Sequence, residues 1–112
     1  MKFALPAVAL LLASQAHALG AVTGHVVDVR VDSNGIGMVF FDQPIGNTPP
    51  ACGHDSAYGS ALAFPNNAGG KNILAFALFA KATNAVVTVY GGGACTIYGD
   101  YVEDWSYGQT QH

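Results

Sequence analysis

The sequence predicts a mainly β domain: a strongly curved antiparallel sheet of five strands closed into a barrel, with one helix at an open end. Three observations lead there. Apolar residues alternate with period two through short runs separated by Gly, Pro and Asn clusters. A single stretch, Lys71–Thr83, has helical composition instead. The chain also carries 14 Gly, about twice the ordinary share, which suits tight curvature and close approach of strands. The order β-β-β-α-β-β, with the helix between strands three and four, is that of an OB-fold-like Greek-key barrel. An α+β roll, with the helix lying flat on an open sheet, is the alternative.

Each element has its own warrant. Gly24–Asp32 places His25, Val27, Val29 and Val31 on one face and Asp28, Arg30 and Asp32 on the other, the pattern of a half-buried strand. Asn34-Gly35 is a hairpin turn, because this pair tolerates positive φ. Ile36–Asp42 follows with apolar groups on both faces, so it is expected to be central or covered by something on each side. Pro44, Gly46, Pro49 and Pro50 make 43–50 a loop. Ala57–Phe64 alternates again, with small residues at Ala57, Gly59, Ala61 and Ala63. On the helix Lys71–Thr83, Ile73, Ala75, Phe76, Ala77, Phe79 and Ala80 form the core face. The opposite face sets Leu74 and Leu78 between Lys71 and Lys81, an apolar pair suited to a subunit interface. Ala85–Tyr90 is the fourth strand, ended by Gly91-Gly92-Gly93. Tyr101–Tyr107 completes the fifth.

The domain is expected to span residues 19–112, preceded by a secretory signal peptide over residues 1–18. Lys2 precedes a short apolar core, and Ala16-His17-Ala18 supplies the small-x-small pattern for cleavage after Ala18. That apolar run is about ten residues, against the ~20 needed to span a bilayer, so no transmembrane segment is expected. The protein is accordingly expected to be exported, periplasmic or secreted. In an oxidising compartment Cys52 and Cys95 are most simply one disulfide, although a free thiol remains open if its partner is idle.

Composition excludes other classes. Charged residues make up 10% of the chain, against roughly 25% in an average soluble domain. Four basic residues cannot form a nucleic-acid footprint. His25, His54 and His112 have no ligand spacing to the cysteines beyond Cys52-x-His54, so neither metal nor cofactor is expected. Catalytic readings are weak. Glu103 and Asp104 are neighbours that a strand points to opposite faces, and His54-Asp55-Ser56 are adjacent, whereas triads are assembled by the fold.

From Cys52 onward the chain resembles small exported bacterial proteins of the AB5-toxin B-subunit type, in particular the subtilase-cytotoxin and pertussis-like B subunits. The resemblance rests on Cys52, the small-residue strand Ala57–Phe64 and the helix segment Leu74–Ala82. It continues through Val86–Gly91, Gly93, Cys95 and the terminal strand around Val102–Tyr107. It implies an OB-fold subunit with a Cys52–Cys95 disulfide, assembled as a ring of five with the helices facing the pore. The Lys71/Leu74/Leu78/Lys81 face would then line that pore.

The resemblance also implies glycan binding through a serine-centred polar site, for which Ser56 and Ser60 are candidates by position. Tyr101, Glu103, Trp105 and Tyr107 share one side of the last strand, offering stacking surfaces and an acceptor for hydroxyls. The expectation is a non-enzymatic, ring-forming subunit that binds a host or cell-surface glycan, with an exported A-type subunit as a further partner. The alternative is a periplasmic or secreted protein that binds a protein partner and belongs to no toxin.

Overall fold

The computed structural model describes residues 19–53 and 57–111. In chain order the elements are β1 (Gly20–Gly24), β2 (Val26–Val31), β3 (Gly37–Phe41), β4 (Gly46–Asn47), β5 (Ala61–Phe64), α1 (Ala68–Thr83), β6 (Val87–Gly91) and β7 (Trp105–Thr110). A turn of 3-10 helix, Ala51–Gly53, precedes the undescribed residues. The strands form two antiparallel sheets, one ordered β4-β1-β6-β7 and the other β2-β3-β5.

The predicted five-stranded OB-fold-like barrel is therefore not the fold. The first expected strand, Gly24–Asp32, is β2; an unexpected strand, β1, precedes it, ends at Gly24 and belongs to the other sheet, with only His25 between them. At the far side the sheets meet through one parallel bridge, Ala63 to Asp104, and one bond from the Ala63 N–H to the Glu103 carbonyl at 2.9 Å. A lone bridge is not a ladder, and neither sheet closes. The roll alternative fails as well, because it needs one open sheet and there are two. The physical cause lies at residues 97–103, where bends and irregular backbone replace the first half of the expected last strand. That strand starts only at Trp105.

Local chemistry sets the details. In the β2–β3 pairing the register shifts between Val26 and Asp28. This bulge sends Val26 into the core and leaves Val27 half exposed; with Val31 exposed as well, only Val29 of the expected Val27/Val29/Val31 face is partly buried. The turn between β2 and β3 is the Asn34-Gly35 hairpin, with Gly35 at φ 89° and its N–H bonded to the Asp32 carbonyl at 2.8 Å. Strand β3 is covered on both faces: Val39 and Phe41 enter the main core, and Met38 enters a second one.

Helix α1 starts three residues before the expected Lys71. Asn67 caps it, its side chain accepting the Gly70 N–H at 2.8 Å. Gly70 is obligatory, because a Cβ there would overlap the Pro65 carbonyl. The helix closes on β2 and β5 through the small residues Ala77 and Ala80, both fully buried, flanked by Ile73, Leu74 and Phe76. The expected core face included Ala75 and Phe79; both are exposed instead, Phe79 at 56% beside Leu78 at 50%.

The main core lies between the sheets and α1. It contains Val22, Val26, Val39, Phe41, Leu62, Phe64, Val87, Val89 and Trp105. The Trp105 ring stacks on Phe41 and meets Phe76 edge-on. The second core is on the outer face of the three-stranded sheet. Met38, Ala61, Ala63 and Val102 lie there beneath Phe40, Tyr58, Ile97, Tyr98 and Tyr101. Cys52 and Cys95 form a disulfide across 43 positions, tying the 3-10 turn to the segment that covers this second core.

Candidate functional site

A shallow groove of about 400 Å³ opens where the end of β3 meets the segment leading into β5. Its walls are Phe41, Asp42, Gln43 and Pro44 on one side and Ala57, Gly59 and Ser60 on the other. Backbone bonds hold the walls together: Phe41 N–H to the Ser60 carbonyl at 2.9 Å, and Ile45 N–H to the Gly59 carbonyl at 2.8 Å.

Asp42 is the one charged residue among the described residues that line the groove. Its two oxygens grip His25, one accepting the backbone N–H at 2.8 Å and the other meeting ring Nδ1 at 2.9 Å. The His25 backbone bond is the main reason the Asp42 carboxyl is held below the ordinary carboxylate range, with the ring bond second. The same contact pins the bend between β1 and β2. Gly24 gives it room, since a Cβ there would overlap the Asp42 carboxylate.

A second polar network latches the second core. Arg30 Nε donates to Asp32 Oδ1 at 2.7 Å, and the Tyr98 hydroxyl donates to Asp32 Oδ2 at 2.6 Å. The Arg30 guanidinium lies 5.6 Å from the Tyr98 ring centroid. The Arg30 bond, followed by that from Tyr98, lowers the Asp32 carboxyl, while burial and the hydrogen bond to Asp32 push the Tyr98 phenol up. The shared partners show what the network does: it holds the segment carrying Tyr98 against the end of β2.

The residues singled out from sequence are dispersed. Tyr101 packs in the second core, its ring 5.4 Å from Tyr58 and 5.9 Å from Tyr98. Glu103 is 2% exposed, and its Oε2 accepts the N–H groups of Gly20 at 3.0 Å and Gly93 at 2.9 Å. Trp105 belongs to the main core, while Tyr107 is exposed and stacked on Tyr90. These four residues share no common surface. Ser60 lines the groove, and Ser56 lies outside the described residues, as do His54 and Asp55. On α1, Lys71, Leu78 and Lys81 are exposed, whereas Leu74 packs against the main core.

Sequence reasoning missed His25 and Asp42 as a pair. They are 17 positions apart, and only the glycine before His25 hints that something approaches the backbone there. Among the described residues, no group of His, Cys, Asp or Glu could hold a metal ion, and no helix is long and apolar enough to cross a membrane.

No protein-family model, curated protein or solved structure matches the chain. The resemblance to AB5-toxin B subunits is thus overturned: the closed barrel it requires is absent, and no comparison supplies a match. The reading as a ring-forming, glycan-binding toxin subunit falls with it, and nothing in the fold selects the protein-partner alternative.

Proposed function

We propose that the chain is exported and that its domain binds a small amine-bearing ligand in the groove at Asp42, as a binding protein and not as an enzyme. The carrying observation is the Asp42 carboxylate, kept ionised by His25, in a concave site whose other described lining groups are neutral. A carboxylate only accepts hydrogen bonds, so its complement is a ligand with N–H donors and positive charge. Gln43 and Ser60 offer further hydrogen-bonding groups, and Pro44 and Ala57 offer apolar contact to a short carbon skeleton. The chain's net charge of −3 favours the approach of cations over anions. The His25 ring is bonded to Asp42 by Nδ1, and that contact fastens the strand bend, which supports a structural role for His25 over a catalytic one. Export is supported by the leader pattern in residues 1–18 and by the disulfide.

The test is an NMR titration of the wild-type domain with butylamine and, separately, with butanoate. Amide shifts at Asp42, Gln43 and Ser60 with the amine alone are expected, and Asp42→Asn should abolish them. Equal responses to both probes, or none to either, would overturn the reading.

A further inference from the structure

Glu103 carries the most unusual unused chemistry in the domain. Its carboxyl group is 2% exposed and sits among glycines: a Cβ on Gly20 or Gly91 would overlap its oxygens. Both of its described hydrogen bonds fall on Oε2, and Oε1 is buried with no partner among the described residues. A buried carboxylate oxygen without a donor is costly, because its hydration is lost and nothing replaces it. Oε1 therefore calls for a donor, and the chain offers one candidate close by in sequence to the Gly20 N–H.

The Gly20 N–H that donates to Oε2 belongs to the residue after Leu19. Leu19 is held in place by its carbonyl, which accepts from the Thr48 N–H and from Asn47 Nδ2, both at 3.1 Å. Consecutive backbone nitrogens are only about 3–4 Å apart. The nitrogen of Leu19 is therefore one residue's reach from the carboxylate. The leader pattern puts the cleavage point at the peptide bond before that nitrogen.

We propose that removal of residues 1–18 completes the domain, the new α-ammonium of Leu19 becoming the missing partner of Glu103 Oε1. Water adds across the Ala18–Leu19 amide; Ala18 leaves as a carboxylate, and Leu19 keeps a protonated amine. Before cleavage this nitrogen is a neutral amide with one hydrogen. Afterwards it has three hydrogens and a positive charge beside a buried negative one. Maturation and stabilisation are then a single event, independent of the groove at Asp42. The proposal rests on the export reading for the cleavage point, but its chemistry does not need export.

The experiment compares two proteins made in the cytoplasm with the disulfide formed. One is released from a fusion so that it begins at Leu19, and the other retains Ala16-His17-Ala18. The form beginning at Leu19 should melt several degrees higher, and its α-amino group should titrate at least one unit above the ordinary value of about 7.7–8.0. Glu103→Gln should remove both differences. If that variant fails to fold, acetylating the α-amino group of the wild-type form should lower its melting point to that of the extended form. Equal melting points together with an ordinary α-amino titration overturn the proposal. N-terminal sequencing of the exported protein tests the cleavage point separately, and a start other than Leu19 overturns the link to maturation.

Discussion

The carboxylate of Glu103 occupies the space where the first side-chain carbon of any other residue at position 91 would lie. Gly91 is buried at the end of β6, where the ladder to β7 shifts register, and Glu103 reaches that point from the irregular segment before β7. Gly91→Ala is therefore expected to destabilise the fold by about 3 kcal/mol, the upper range for forcing extra volume into a packed interior. Urea unfolding measures this. A cost under about 0.5 kcal/mol would show that the carboxylate moves freely aside.

The disulfide closes a loop of 43 positions. On the chain-entropy account, its loss should cost roughly 3–4 kcal/mol, a large fraction of the ~5–15 kcal/mol that holds a domain together. The Cys52→Ala/Cys95→Ala double variant should show this as a lower urea midpoint. Reduction of the wild type should reproduce it. The loss should be felt first over the second core, so amide exchange at Tyr98–Val102 is expected to accelerate more than exchange at Val39.

Acid should weaken the fold through Asp42 and Asp32. Both carboxyls titrate below their ordinary value in the folded chain, the first mainly through His25 and the second mainly through Arg30. A depressed folded pKa contributes stability that is fully present above the unfolded value, about 3.9. That contribution is lost as pH falls through the folded value. Thermal melts are thus expected to fall below about pH 4, and Asp42→Asn with Asp32→Asn should flatten that acid limb. An unchanged limb in the double variant would assign acid sensitivity elsewhere.

Asn67 sits just before α1 and accepts the Gly70 N–H. Asn67→Ala should cost about 1 kcal/mol, and Asn67→Ser or Asn67→Asp should restore most of it. Differential melting of the three variants distinguishes a capping role from a merely local turn preference.

The parts of the fold that sequence made legible are those decided by neighbours. The Asn34-Gly35 hairpin, the two-faced strand β3 and most of helix α1 follow from turn chemistry and periodicity within a few residues. What stayed hidden is decided across long separations. The bulge at Val27 leaves no local trace in a run of valines, yet it changes which valine is buried. Glu103 reads as one member of an alternating strand with Tyr101 and Trp105. Its actual place is set by Gly20 and by Gly91 and Gly93, brought together from two distant parts of the chain. At the groove, Ser60 was singled out in advance, whereas Asp42 and His25 acquire their relation only when β1 turns into β2.

The position of β1 has a consequence for how the chain reaches its final state. It is an interior strand of the four-stranded sheet, flanked by β4 and β6. The first described strand to leave the ribosome therefore waits for Val87–Gly91, near the end of synthesis, before its second edge is satisfied. Sheet β2-β3-β5 can pair as soon as Phe64 has emerged. For β1, order of synthesis and order of assembly are opposed: it is made first, and its pairing is completed only near the end. A chain of this kind stays open until nearly all of it has been made.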